Sequence, residues 1–422
     1  MKIPLANFFK GDKVIWMIFF FLCVISVMEV FSSSSMLVYD ESNYWGPLAK
    51  HSFILLGGII ITVVVQNIDC KYFKVATPFL LLASFITLIW VLVAGQTTNG
   101  ASRWVGFLGI QFQPSEIAKG AIVLATAQIL SAMQTEDGTE KNTFKYICTA
   151  TLPLVGLILL ENLSTAALII IVVVEMMFYG RVSGKILGKI IGGAILSVLV
   201  MVGLIFIFGK EEPAANDKQN LTDHYVAANE EKADDNSSSL LDDIFHRAGT
   251  WKGRIVRFVS TEDIPPQEFD LDHDAQIGYS NIAIASSEFI GKGPGNSEAR
   301  DFLPQSFSDF IYAIIIEEMG LFGAIVVMLL YIFLLFRAGR IADRCENAFP
   351  AFLVMGIGLM LVTQAMFNMM VAVGLAPVTG QPLPLISKGG TSTIINCAYI
   401  GAMLSVSISA KKKNTTERYS KK

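Results

Sequence analysis

Gly293-Pro-Gly-Asn-Ser-Glu-Ala-Arg-Asp-Phe-Leu-Pro-Gln-Ser-Phe-Ser-Asp309-Phe-Ile-Tyr-Ala-Ile314 is the stretch on which the rest of the chain turns. A loop broken by glycine and proline runs into Asp309, and an apolar run opens there and continues to Phe336. About 20 such residues suffice to cross a bilayer as a helix. Asp309 therefore falls at a water–membrane boundary, at the end of the largest polar loop. Two readings of it stay open. Ser308 or Asp309 caps the helix and offsets its dipole, or the carboxylate does chemistry at the mouth of a membrane scaffold.

Working outward, the 422 residues are 53% hydrophobic and only 16% charged, against about 25% charged in soluble domains. This composition predicts an all-α polytopic membrane protein with about ten transmembrane helices. The spans fall at 14–31, 53–65, 75–94, 117–133, 144–160, 163–180, 186–208, 309–336, 349–375 and 393–410. The apolar run after Lys10 and Lys13 is too long for a signal-peptide core and reads as a retained first span. No basic patch interleaved with aromatics points to nucleic acid. Cys23, Cys70, Cys148, Cys345 and Cys397 show no CxxC spacing and read as small hydrophobes.

Positive residues set the orientation. Lys10 and Lys13, Lys71 and Lys74, Lys141 and Lys145, Arg181 and Lys185, Arg337 and Arg344, and Lys411–Lys413 all fall on one side of ten spans, which is then cytoplasmic. Both termini lie inside. The 95–116, 209–308 and 376–392 loops face out, and 411–422 is a basic cytoplasmic tail. In the 209–308 loop acidic residues outnumber basic ones about two to one. Its 211–240 part reads as disordered, and 276–290 as an amphipathic interfacial helix. The whole chain reads as a single transmembrane domain. Twofold hydropathy symmetry is not evident, which counts against an alternating-access transporter.

Three outer segments carry polar groups that lipid does not tolerate. In Gln113-Pro-Ser-Glu116-Ile-Ala-Lys119, Pro114 and Ser115 suit a helix start, while Glu116 and Lys119 share a face. They line a functional cavity, or merely neutralise one another. Asp309 is followed two turns deeper by Glu317 and Glu318. Eight residues advance about 800°, which puts Glu317 roughly 80° around from Asp309, toward a cavity, and Glu318 on the opposite face toward a neighbouring helix. Glu175 is open to either role. In Pro377-Val-Thr-Gly-Gln-Pro-Leu-Pro-Leu-Ile-Ser387-Lys388-Gly-Gly-Thr-Ser392, three prolines forbid a regular helix. The free N–H groups and lysine at its end suit a phosphate or pyrophosphate, or form a turn with a snorkelling lysine. Gly291-Lys-Gly-Pro-Gly is a weaker phosphate candidate. The four histidines show no metal-ligand spacing and read as bystanders. Together these parts suit transfer from a lipid-linked phosphate donor: a carboxylate base, and cations for the departing phosphate.

These segments resemble the SEDS (FtsW/RodA) family of bacterial cell-wall polymerases. The resemblance lies in Asn99-Gly-Ala-Ser-Arg103-Trp, Gln113-Pro-Ser-Glu-Ile-Ala-Lys119, Glu161-Asn-Leu-Ser-Thr-Ala, Gly291-Lys-Gly-Pro-Gly-Asn-Ser, Leu303 to Gly320 and Pro377 to Ser392. It implies a peptidoglycan glycosyltransferase that joins lipid II into a nascent glycan strand outside the cytoplasmic membrane, with the division-type members matching better than the elongation-type. It further implies Asp309 as the base for the acceptor 4-hydroxyl, and Glu116 and Lys119 beside the cavity. Arg103, Ser387 and the Gly389–Gly390 turn are implied to hold donor pyrophosphate; beside what the resemblance implies, Lys388, Gln276 and Glu317 are read from this sequence as further substrate contacts. A divalent cation, Mg²⁺ or Mn²⁺, is the implied assistant. A class B penicillin-binding protein and other divisome or elongasome membrane proteins are the implied partners. A lipid II flippase and a scaffold for a transpeptidase are the competing functions. The chain departs from the family in having Phe307-Ser308-Asp309 for His-Thr-Asp, and Ser387-Lys388-Gly-Gly for Ser-Tyr-Gly-Gly.

Overall fold

The structure, a computed structural model, describes residues 9–33, 46–94, 96–98, 101–107, 110–136, 138–193, 203, 275–303 and 307–420. Residues 1–187 and 269–422 form one compact unit and 188–268 a second. The acidic 211–240 stretch, His224, His246 and His273 lie outside the described residues.

The first unit is a bundle of α1 (Lys13–Ser33), α2 (Gly46–Val65), α3 (Cys70–Ala94), α4 (Pro114–Ala132), α5 (Thr143–Glu161) and α6 (Leu163–Tyr179). It continues with a short α7 (Ala275–Ser286), then α8 (Ile311–Ala342), α9 (Ala348–Ala372) and α10 (Thr391–Ser420). Seven of these (α1, α2, α3, α5, α8, α9, α10) are long and apolar enough to cross a membrane. Two more of the expected spans fall on α4, whose Glu116 and Lys119 lower its hydropathy, and on the 17-residue α6. The expected span 186–208 is helical at 184–193 and otherwise lies almost wholly outside the described residues. The all-α polytopic reading therefore holds. The second span is longer than its hydropathy suggested, because Lys50 and His51 sit inside α2.

Between membrane helices packing depends on close approach rather than on exclusion of water. Small residues permit it here. A Cβ added at Gly58 would lie 2.6 Å from Cys397 Sγ, and one at Gly401 2.8 Å from Val65 Cβ, so α2 and α10 meet backbone to backbone. The central helix is α9, packed on α8, α4 and α6. Residues expected on the cytoplasmic side share one end of the bundle. The Arg337 guanidinium clasps Asp12 at 2.8 and 2.6 Å, and Ser405 donates to the Ile68 carbonyl at 2.5 Å.

The opposite end is built from irregular chain. Strands β1 (Gln96–Thr98), β2 (Ala101–Phe107) and β3 (Ile110–Phe112) form an antiparallel sheet that hydropathy does not announce. Thr98 pairs with Ala101 across Asn99-Gly100, a dipeptide suited to a two-residue hairpin. Helix α8 starts at Ile311, after a turn over 307–310, with Phe310 at its cap position and no side-chain cap. The cap position thus falls on Phe310 rather than on Ser308 or Asp309. The helix is also broken at Gly320 (φ 67°, ψ −173°). The break frees the Glu317 and Glu318 carbonyls, which accept from Lys292 N–H (2.9 Å) and Gly293 N–H (2.8 Å). A Cβ on Gly291 would meet Gly320 N at 2.3 Å, so only glycine fits where the loop enters the break.

Candidate functional site

Asp309 sits half-buried in the 307–310 turn, and three successive carbonyls of that turn are each held by a donor. Lys388 N–H donates to Phe307 O at 3.0 Å. Ser387 Oγ donates to Ser308 O at 2.6 Å. Asn368 Nδ2 donates to Asp309 O at 2.8 Å, and also to Gln381 O at 2.7 Å. Ser308 Oγ then donates to Asp309 Oδ1 at 3.0 Å. The loop 376–390 supplies two of these donors because it is pinned in turn. Leu383 N–H donates to Ser387 Oγ at 2.8 Å, Tyr331 OH donates to Pro384 O, and Ser26 Oγ donates to Ile386 O at 2.7 Å. Leu385, buried between these ties, takes φ +67°, a strain that persists only where the surroundings over-determine the backbone.

Helix α9 connects this turn to the charged pair on α4. Glu116 and Lys119 form a buried ion pair at 2.7 Å. Lys119 also donates to Gln364 Oε1 at 2.7 Å, and Gln364 Nε2 donates to Pro382 O at 2.9 Å. Gln364 and Asn368 are four apart and so share one face. The loop is therefore gripped between the ion pair and Asp309. Tyr399 OH donates to the Glu116 carbonyl at 2.5 Å, and Gln381 Nε2 to Thr165 Oγ1 at 2.7 Å. Gln364, Asn368, Gln381 and Tyr399 were missed from the sequence. The available signal was a pair of amides one turn apart in an apolar helix, where polar groups are costly.

The other expected site residues are distributed as follows. Lys388 is half-buried with Nζ 4.9 Å from the Phe307 ring centre. Burial, with Lys50 nearby, holds its ammonium below the ordinary lysine value. Glu317, expected toward a cavity, is buried. Its oxygens accept from Lys292 Nζ (2.8 Å), Ser297 Oγ (2.5 Å) and Glu298 N–H (3.0 Å). The hydrogen bond that Lys292 donates to Glu317, aided by Glu298, raises Lys292 above its ordinary value. Glu318 accepts from Ser32 on α1 and from Gly295 N–H at 3.0 Å. Both carboxylates thus fasten the 292–299 loop, and Glu318 also reaches a neighbouring helix as expected. Glu175 accepts from Thr363 on α9 at 3.1 Å. Gln276 is half-buried in the first turn of α7, whose Ser280 donates to the Ala372 carbonyl at 2.7 Å. Arg103 lies on β2, and its side chain falls outside the described residues. His51, read as an edge bystander, is buried against Ser26 Oγ at 2.9 Å. Among the described residues no three His, Cys, Asp or Glu gather to cage a metal ion.

Fold and site together define a polytopic α-helical membrane protein with a carboxylate-bearing turn locked at one end of its bundle. A family model described as "Cell cycle protein", named for FtsW, RodA and SpoVE, matches residues 12–216 and 243–412. The chain belongs to this family. It is 27% identical over 403 residues to the probable peptidoglycan glycosyltransferase FtsW of Geobacter sp. (strain M18), covering 94% of this chain and 96% of the relative. It is 26% identical over 397 residues to the peptidoglycan glycosyltransferase MrdB of Escherichia coli (strain K12), covering 94% and 93%. Among solved structures, Thermus thermophilus rod shape determining protein RodA aligns with a TM-score of 0.61 at 22% identity, covering 95% of this chain and 98% of its own. A chain from a peptidoglycan synthase complex that coordinates polymerization and crosslinking aligns with a TM-score of 0.67 at 22% identity, with the same coverage. The structural likenesses establish a shared fold.

Proposed function

We propose that this protein is a peptidoglycan glycosyltransferase that polymerises lipid II at the outer face of the cytoplasmic membrane, in septal division. The observation that carries this is the locked Asp309 turn in a chain whose relatives are named for that activity. Asp309 takes the proton of the acceptor sugar hydroxyl as its oxygen bonds to the donor anomeric carbon. The bond from that carbon to the lipid pyrophosphate breaks, and the pyrophosphate leaves with the electron pair. Lys388 is proposed to meet the departing phosphates, as a cation must at that point. Glu116 and Lys119 are proposed to support the site from behind, buried in the bundle with Lys119 packed beside Leu168, Val172 and Met360. The described carboxylates build no cation cage, so Mg²⁺ or Mn²⁺ is proposed to travel with the pyrophosphate. A flippase or a scaffold has no need of a carboxylate fixed at one mouth.

The partner is proposed to be a class B penicillin-binding protein, in keeping with the synthase complex that the fold resembles. The decisive experiment supplies purified protein with labelled lipid II and divalent cation, with and without the transpeptidase, and reads glycan length on a gel. Asp309→Asn is expected to lower polymer yield at least ~100-fold, the usual worth of a general base. Equal polymer from folded mutant and wild type would remove Asp309 from the chemistry.

A further inference from the structure

Ser387 falls in the segment expected to hold donor pyrophosphate, yet its hydroxyl is occupied within the protein. It has a single proton, as any serine does, and gives it to the Ser308 carbonyl at 2.6 Å while accepting from Leu383 N–H at 2.8 Å. Its side chain is buried, 3% exposed. Asn368, 1% exposed, spends one amide group on the Asp309 and Gln381 carbonyls together. The peptide planes on either side of the Asp309 Cα are therefore each anchored through their carbonyl: the preceding plane by Ser387, the following plane by Asn368. Peptide units are rigid, so the backbone has only φ and ψ to vary at each residue. Anchoring both flanking planes fixes φ and ψ of Asp309, and hence the direction of its Cα–Cβ bond. Ser308 Oγ, 3.0 Å from Oδ1, then sets the carboxylate rotation.

We propose that Ser387 and Asn368 are positioning residues, which aim the Asp309 carboxylate by holding the two peptide units that flank it rather than by touching substrate. This deepens the glycosyltransferase reading and rests on it. A carboxylate aimed through its backbone loses rate when the aim is lost, because a displacement of about 1 Å at a reacting group costs on the order of 100-fold. Affinity for the lipid-linked substrate is untouched, since neither side chain meets it.

The test measures lipid II polymerisation by the full-length protein in detergent or nanodiscs for Ser387→Ala, Ser387→Thr and Asn368→Leu. It pairs this with hydrogen exchange over 307–310. Ser387→Ala and Asn368→Leu are expected to lower kcat about 10- to 100-fold. KM should stay within about threefold, the pattern of an interaction that acts only on the chemical step. Ser387→Thr, which keeps the hydroxyl, is expected to recover most of the rate, and exchange at 307–310 should quicken in the two disruptive variants alone. A raised KM with kcat intact would make Ser387 a substrate ligand and overturn the proposal, as would unchanged kinetics. Where Asn368→Leu fails to accumulate folded, the Ser387 pair decides. Should wild type form no polymer, the glycosyltransferase reading fails by itself. Exchange at 307–310 then judges the lock, and unchanged exchange overturns it.

Discussion

At the scale of single residues, two of the positions that depart from the motifs carrying the resemblance, Phe307 and Lys388, touch each other. Lys388 Nζ lies over the Phe307 ring, and Lys388 N–H holds the Phe307 carbonyl. A cation–π contact of this kind favours the charged lysine by about 1 kcal/mol, while burial, with Lys50 nearby, works against the charge and prevails. The sign for stability follows. Between the lowered folded value and the ordinary one the unfolded chain binds more protons, so this residue makes stability rise with pH across that window. The sign for activity is opposite. An ammonium that meets the leaving phosphates acts below the folded value and is lost as pH rises through it. The alkaline limb of the rate profile should therefore fall below the ordinary lysine value. Lys388→Arg, whose guanidinium stays protonated, should move that limb upward. A limb that does not move would separate Lys388 from the reacting phosphates. Helical-wheel geometry counted from Asp309 and set Glu317 and Glu318 on different faces, whereas α8 starts only at Ile311 and both carboxylates reach the same loop. It had no means of showing that the 292–299 loop would come down onto both carboxylates.

Among the elements, the broken α8 is the most consequential departure from a plain bundle. Gly320 adopts φ 67°, and the 289–293 segment fills the gap with backbone hydrogen bonds to Glu317, Glu318 and Phe322. Any side chain at 320 meets both the left-handed backbone cost and the Phe289 carbonyl, 2.3 Å from its Cβ. Gly320→Ala is expected to destabilise the protein by about 2 kcal/mol or more. Thermal unfolding in detergent, followed by size-exclusion fluorescence, would register it. Limited proteolysis should then cut first between 289 and 299, and a Tm equal to wild type would mean that the break is dispensable. Helix spans were legible because each is a run of apolar residues. The break was not, because Gly-Leu-Phe-Gly within an apolar run is equally consistent with an unbroken membrane helix, where glycine is common. The β1–β2 hairpin had a readable sign in Asn99-Gly100 between Thr98 and Ala101.

On the scale of the whole molecule, charges sort to the two ends of the bundle. The Asp12–Arg337 clasp and the Ser405–Ile68 contact mark one end, and the Asp309 turn lies at the other, with α8 between Asp309 and Arg337. The positive-inside distribution predicts that the first end faces the cytoplasm. Single cysteines introduced at Lys10 and at Glu298, in a variant lacking the native five, should react with a membrane-impermeant maleimide only after lysis and in intact cells, respectively. Labelling in the reverse pattern would invert the topology. The sequence by itself determined that the chain is a polytopic α-helical membrane protein, that its Lys and Arg cluster between alternate spans, and that Asp309, Glu116 and Lys119 adjoin apolar segments. Those properties are local or additive: apolar run length, the count of Lys and Arg, and ionisable groups set in apolar surroundings. Only the tertiary structure decided that Ser387 and Asn368 hold the Asp309 turn, that Gln364 ties Lys119 to the 376–390 loop, and that Glu317 and Glu318 are spent on the 292–299 loop. These depend on contacts between residues 18 to 245 positions apart, and the hydrogen-bonding capacity of a serine or an amide carries no mark of which distant carbonyl will satisfy it.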